Sequence, residues 1–175
     1  GAGNDLLTGD AGDDTIDGGS GDDMIDGQGD NDRLVVSADA NLTTTDSQTT
    51  GDGTDLFSNI ELIELIGGSG ANRLDASGST LPTIQNGGAG SDTLVTGAGT
   101  DMLDGGDGTD VSSISGTNVV LTDASFNGTD TIVDVEIINV TAGATDSLLD
   151  ASAYTLGNVN LIGGTGNDTL LGGSG

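Results

Sequence analysis

One large apolar residue returns every nine positions along much of the chain, between short stretches rich in Gly and Asp. The unit reads GDAGDDTID from Gly9, GGSGDDMID from Gly18 and GQGDNDRLV from Gly27. It returns as GGAGSDTLV, TGAGTDMLD, GGDGTDVSS and GGTGNDTLL, which begin at Gly87, Thr96, Gly105 and Gly163. The Gly-rich part allows positive φ and tight turns, and the last three residues predict a short strand with one inward side chain. The predicted core residues are Leu7, Ile16, Ile25, Leu34, Leu94, Leu103 and Leu170.

Two Gly-poor stretches have a denser apolar pattern. Residues 60–66 read IELIELI, which is compatible with a strand or a short helix by periodicity. This stretch is short and ends at Gly67-Gly68, and its counterpart at residues 135–140, VEIINV, is rich in β-branched residues. Both stretches therefore predict strands, and we expect essentially no helix.

A longer repeat contains the nonapeptides. GTDLFSNIELIEL from Gly53 corresponds to GTDTIVDVEIINV from Gly128, 75 residues later, and LDAS at Leu74 returns at Leu149 with the same shift. The sequence thus predicts tandem units of about 76 residues. Nonapeptide runs at 1–35, 87–113 and 163–175 alternate with spacers at 36–86 and 114–162.

Two nonapeptides make one coil of 18 residues with a turn at each end, and the spacers can be tested against this length. The turn residues assigned to one edge are Asp14, Asp32, Asp55, Asn72, Asp92, Asp110, Asp130, Asp146 and Asp168. Their mean separation is about 19 residues, as expected for stacked coils. The pattern favours one continuous β-solenoid over residues 1–175, and the alternative is that each spacer folds as a separate β-module.

Composition and charge exclude several functions. The 175 residues include 33 Gly and 29 acidic residues, but only two Arg and no Lys, His or Cys, for a net charge of −27. Such a chain repels nucleic acid and anionic membranes, and it has no apolar run long enough to insert in a membrane. The three Glu residues, Glu61, Glu64 and Glu136, recur at repeat spacing, which indicates structure rather than catalysis. We therefore predict that the chain is not an enzyme and that cations must offset its self-repulsion.

The nonapeptides resemble the GGxGxDxUx repeat of the RTX (repeats-in-toxin) family, where U is a large apolar residue. The resemblance implies an all-β fold: a right-handed parallel β-roll or β-solenoid with two turn edges and about 18–20 residues per coil. It also implies several bound Ca²⁺ ions, each held between turns one coil apart. Calcium takes six to eight oxygen ligands, so each turn would supply backbone carbonyls and the carboxylate of its sixth residue.

The resemblance assigns the ligands residue by residue. The expected carboxylate ligands are Asp5, Asp14, Asp23, Asp32, Asp55, Asp92, Asp101, Asp110, Asp130 and Asp168. The expected carbonyl ligands include Gly3, Gly12, Gly19, Gly21, Gly88, Gly90, Gly106 and Gly108. The expected pairs are Asp5 with Asp23, Asp14 with Asp32 and Asp92 with Asp110, and across longer intervals Asp32 with Asp55 and Asp110 with Asp130.

Some positions depart from the motif. Asp101 has no carboxylate 18 residues later, and Asn72 replaces the ligand Asp, so that turn is expected to be free of calcium. Asp30 replaces the fourth Gly, a position that Asp tolerates because it adopts left-handed geometry more readily than most residues. Ser112 stands where an apolar residue is expected and predicts a weak layer of the core.

These features predict a structural segment of an extracellular or cell-surface bacterial protein, such as a stalk, filament or adhesin element. The resemblance implies type I secretion and folding in external calcium. The chain begins and ends within the pattern, so we expect a piece of a larger RTX-type protein whose partners are calcium, neighbouring repeats or copies stacked end to end. The alternative is an RTX folding module attached to a secreted enzyme or toxin. The sequons at Asn41, Asn127, Asn139 and Asn167 are ascribed to composition.

Overall fold

The computed structural model describes residues 1–174, which form strands and turns and no helix. Consequently, no helix in this part of the chain could cross a membrane. The strands are β1 (Leu6–Thr8), β2 (Thr15–Ile16), β3 (Met24–Asp26), β4 (Arg33–Ser37), β5 (Leu42–Thr45), β6 (Gln48–Thr50), β7 (Thr54–Ser58), β8 (Leu62–Ile66), β9 (Arg73–Gly78), β10 (Thr83–Asn86), β11 (Ala89–Gly90), β12 (Thr93–Val95), β13 (Asp101–Asp104), β14 (Asp107–Gly108), β15 (Val111–Ser115), β16 (Asn118–Thr122), β17 (Ser125–Phe126), β18 (Asp130–Val133), β19 (Ile137–Thr141), β20 (Leu148–Ala153), β21 (Asn158–Ile162) and β22 (Thr169–Leu171).

Two ten-stranded sheets contain nearly all of these strands. Sheet 1 has the order β1-β3-β7-β6-β5-β9-β12-β15-β19-β21, and sheet 2 has the order β2-β4-β8-β10-β13-β18-β17-β16-β20-β22. Most neighbours are parallel, and in the nonapeptide runs paired residues lie 18 apart, as in Leu6 with Met24 and Thr93 with Val111. The expectation of an all-β roll without helix is confirmed.

The core is a thin layer of Leu, Ile and Val between the two sheets. Because side chains alternate across a strand, each short strand contributes one inward residue, and Ile16, Ile25, Leu34, Leu94 and Leu103 are all buried as predicted. The other two predicted core residues lie at the ends of the sheets.

The two end residues are less covered than the rest. Leu7 in β1 is half-buried, and Leu170 in β22 is 44% exposed, because these strands have a neighbour on only one side. Within the core, Ser112 and Gln85 are fully buried polar residues, and the Ser112 hydroxyl has no hydrogen-bond partner. The structure thus places Ser112 in the weak layer that the sequence predicts.

The spacers enter the same two sheets, but they add an antiparallel excursion. Strands β5, β6 and β7 are consecutive in the chain and all lie in sheet 1, with β6 antiparallel to both neighbours. Strands β16, β17 and β18 repeat this arrangement in sheet 2. Paired residues are then 26 to 33 positions apart, as in Val111 with Ile137 and Thr45 with Gly78. The expected 18–20 residues per coil therefore holds for nonapeptide coils and is wrong where an excursion is inserted.

The long repeat places equivalent strands in opposite sheets. Leu74 lies in β9 of sheet 1, and its counterpart Leu149 lies in β20 of sheet 2. Between these two strands the chain crosses from one sheet to the other seven times, an odd number. The same stretch of the long repeat therefore lies in sheet 1 in one unit and in sheet 2 in the next.

Candidate metal centre

Most of the nonapeptide turns share one backbone conformation. Residues at their second and fourth positions have positive φ, as at Gly19 (83°) and Gly21 (128°) and at Gly88 (91°) and Gly90 (128°). All eight glycines whose carbonyl oxygens are expected to bind calcium have positive φ. The fourth position of the turn that ends at Asp32 is Asp30, with φ of 73°, so aspartate does adopt the left-handed geometry there.

Between successive turns lies a small space bordered by oxygen atoms. A Cβ added at Gly9 would lie 2.7 Å from both the Asp14 Oδ2 and the carbonyl oxygen of Gly27. A Cβ added at Gly87 would likewise lie 2.5 Å from the Asp92 Oδ2 and from the carbonyl of Gly105. Since glycine has no Cβ, a carboxylate of one turn and a carbonyl of the turn one coil later can approach each other there.

The sixth-position carboxylates form ladders along the edges of the solenoid. The Oδ1 of Asp23 accepts the backbone N–H of Asp5 at 2.8 Å, and the Oδ1 of Asp32 accepts that of Asp14 at 2.9 Å. The Oδ1 of Asp110 accepts the backbone N–H of Asp92 at 2.7 Å. One oxygen of each carboxylate is therefore used to connect consecutive coils.

The second oxygen of five of these carboxylates has no donor. The Oδ2 atoms that are buried without a hydrogen-bond partner belong to Asp14, Asp23, Asp32, Asp92 and Asp110. A buried anionic oxygen without a partner is strongly unfavourable, and a cation bound at each of these positions would offset that cost.

The donor set suits calcium. Each turn offers one carboxylate, and the remaining oxygens are backbone carbonyls, which are ligands that Ca²⁺ accepts in flexible geometry. Among residues 1–174 there is no group of three or more acidic side chains that could hold a metal by themselves. A metal here would therefore depend on the carbonyls of two stacked turns.

The turns lie on two edges, which changes the expected pairing. One edge leads into sheet 1 and carries Asp5, Asp23, Asp55, Asn72, Asp92 and Asp110. The other leads into sheet 2 and carries Asp14, Asp32, Asp101, Asp130 and Asp168. The assignment of all nine turn residues to one edge was therefore wrong. Each excursion keeps three consecutive strands in one sheet, so the next turn lies on the opposite edge from the one that the residue spacing indicates.

The pairs predicted across the spacers are wrong for the same reason. Asp55 accepts the backbone N–H of Asp23 at 3.0 Å, so it does not stack on Asp32. Asp130 accepts the backbone N–H of Asp101 at 2.7 Å, which gives Asp101 the acidic neighbour that the sequence had not revealed. Asp168 accepts the backbone N–H of Ser147 at 3.0 Å, next to Asp146.

Glu61 and Glu136 complete the ladders where the aspartates end. Glu61 accepts the backbone N–H of Asp32 at 2.8 Å, and Glu136 accepts that of Asp110 at 2.7 Å. The sequence had indicated only a structural role for these residues, and their 75-residue spacing was the signal that could have placed them in the ladders.

Stacked carboxylates raise one another's proton affinity. The pKa of Asp110 is raised by burial and by the nearby charges of Asp92, Glu136 and Asp104. Burial raises the pKa of Asp52 in the same way, with the charges of Asp55, Asp17 and Asp23 adding to the effect. The edges are thus zones of negative potential that bound cations would relieve.

Residues 1–34, 86–111 and 155–175 match the family model of the RTX calcium-binding nonapeptide repeat (4 copies). No curated protein matches the chain. The chain therefore carries repeats of the RTX calcium-binding family in these three segments, in agreement with the resemblance seen in the sequence, and its strands form a roll of the all-β type expected for such repeats.

Proposed function

We propose that calcium binding at the turns drives the folding of this chain. The observation that carries this proposal is the set of five buried Oδ2 atoms without donors, at Asp14, Asp23, Asp32, Asp92 and Asp110. The proposed ligands are these atoms together with carbonyls of the same turn and of the turn one coil away. Asp5 and Asp168, at the two ends of the ladders, belong to the same motif and are proposed as ligands of terminal sites.

The electrostatics explain why folding would depend on the ion. A net charge of −27 opposes compaction, and the chain has only three aromatic residues with which to build its core. Each bound ion would neutralise two charges and connect two coils. A ligand that binds only the folded state adds its binding free energy to stability, so the chain would fold as calcium rises.

We further propose that residues 1–175 form one continuous solenoid that serves as a structural element of an extracellular bacterial protein. Ten stacked strands about 4.8 Å apart give a rod about 45 Å long. Tandem units that add coils along one axis suit a stalk, filament or adhesin segment. They favour this role over that of a folding module attached to a secreted enzyme or toxin.

The calcium requirement of extracellular modules agrees with this location. Such modules bind calcium with Kd values of about 10⁻⁴–10⁻³ M. A chain with sites in this range would stay unfolded in a cell that keeps calcium low and would fold after export. Proteins with RTX repeats are typically secreted, which also supports an extracellular role.

Far-UV circular dichroism during a calcium titration tests the proposal, with magnesium as the control. We expect a cooperative change from coil to β-structure that calcium produces, magnesium does not, and a chelator reverses. The same β-spectrum in the presence of chelator would refute calcium-driven folding.

A further inference from the structure

Two turns that match the nonapeptide in sequence do not have its backbone conformation. In residues 96–101, TGAGTD, neither Gly97 nor Gly99 has positive φ, whereas Gly88 and Gly90 at the same positions of the preceding turn do. Residues 67–72, GGSGAN, likewise lack positive φ at both positions. The carbonyls of these two turns are therefore not arranged as in the other nonapeptide turns.

In the first of these turns, protein donors occupy both oxygens of the aspartate. Asp101 is 2% exposed, and its Oδ1 accepts the backbone N–H of Thr83 at 3.1 Å and the Thr83 hydroxyl at 2.8 Å. Its Oδ2 accepts the backbone N–H of Gly97 at 3.1 Å, within the turn itself. Asp92 is equally buried, but its Oδ2 has no donor.

The second turn is closed by a carboxylate from elsewhere in the chain. The Oδ1 of Asn72 accepts the backbone N–H of Gly68 at 2.9 Å, which is the same internal bond that Asp101 makes in its turn. The Nδ2 of Asn72 donates to Asp39 at 3.2 Å, and the same carboxylate accepts the backbone N–H of Gly70 at 3.0 Å and the Ser69 hydroxyl at 3.2 Å. An anion therefore lies against this turn, with N–H and O–H groups directed at it.

We propose that the turns 67–72 and 96–101 are held closed by hydrogen bonds alone and bind no calcium. For Asp101 this departs from what its nonapeptide sequence predicts. A metal at Asp101 would displace the donors Thr83 and Gly97 from a buried carboxylate and leave them without partners, which is unfavourable. The calcium sites of the coils built by β12, β13 and β15 then lie on the sheet 1 edge only, at Asp92 and Asp110.

This inference rests on the proposed calcium binding, and counting bound ions on the full chain tests the two separately. Equilibrium dialysis with radioactive calcium would be performed on the unmodified chain, on Asp101→Asn and on the matched control Asp92→Asn. We expect Asp92→Asn to bind fewer ions. Asp101→Asn should bind as many ions as the unmodified chain, with unchanged affinity, but should unfold at a lower temperature.

A second variant guards against misfolding of Asp101→Asn. Thr83→Val removes the hydroxyl donor without altering any charge, and we expect it to keep the full number of ions. Loss of an ion in Asp101→Asn or in Thr83→Val, with the fold intact by circular dichroism, would overturn the inference and leave the proposed function standing. If the unmodified chain bound no calcium, the proposed function itself would fail.

Discussion

Replacing Asp23 by Asn should change stability in opposite directions with and without calcium. Asp23 is 3% exposed, its Oδ1 accepts the backbone N–H of Asp5, and its Oδ2 has no donor. Asn retains the accepting oxygen and replaces the unpartnered one with a neutral NH₂ group. The substitution therefore removes a calcium ligand but also removes a buried charge without a partner.

The magnitude follows from binding linkage. With a Kd of about 10⁻⁴–10⁻³ M, about 10 mM calcium stabilises the folded state by about 1.4 to 2.7 kcal/mol per ion. Asp23→Asn should lose stabilisation of this size in calcium. In a chelator, with an osmolyte added to populate the folded state, the variant should be as stable as the unmodified chain or more stable, because burying an unpaired charge is costly.

Urea denaturation followed by circular dichroism measures both conditions, and Asp22→Asn is the matched control. Asp22 is exposed, and the one hydrogen bond it accepts, from the backbone N–H of Thr54 at 2.9 Å, survives in Asn. The control removes the same charge and should show no such inversion. An equal loss of stability for Asp23→Asn in calcium and in chelator would refute the reasoning, since it would mean that the second oxygen contacts no ion.

Three further outcomes are expected. Burial raises the pKa of Asp101 and Asp130, so their contribution to stability is present below the ordinary carboxyl pKa and is lost as pH rises through the raised values. Urea denaturation in chelator and osmolyte should therefore show higher stability at mildly acidic than at neutral pH, and a flat profile would contradict this. Leu74→Ala should cost about 2–5 kcal/mol, because Leu74 is fully buried, and denaturation should show almost no loss for Leu56→Ala, whose side chain is 50% exposed. Asp46 accepts hydrogen bonds from the turn of the next coil, so Asp46→Ala should lower the unfolding temperature without changing the number of bound ions, and loss of an ion would assign Asp46 a different role.

Much of the local structure could be read directly from the nonapeptides. Each unit combines residues that allow tight turns with one apolar residue in a short strand, so turn, strand and inward side chain follow from nine positions. Ile25 and Leu94 are buried as this pattern requires. The expectation of essentially no helix came instead from the shortness of residues 60–66 and the β-branched residues of 135–140, because periodicity alone allowed either element.

The path of the spacers could not be read in this way. The interval from Asp32 to Asp55 is 23 residues, close to one coil, so it suggested simple stacking. In the structure it contains β4 of sheet 2, then β5, β6 and the start of β7 in sheet 1, so the turn at Asp55 falls on the other edge. Sequence distance does not distinguish a full coil from a half-coil with an antiparallel excursion, because both use short strands joined by polar turns.

The nine-residue unit alone revealed the residue types of the candidate site, namely one Asp per turn with Gly around it, and the class of repeat. Which turns stack, and which carboxylate oxygens have donors, became visible only in the folded chain. Asp92 and Asp101 occupy the same position of the same motif, but only Asp101 has hydrogen-bond donors for both oxygens, from Thr83 in the preceding coil and from Gly97 in a turn without left-handed residues. The physical reason is that a carboxylate's second oxygen is satisfied by groups distant in sequence, so its need for a cation depends on the fold.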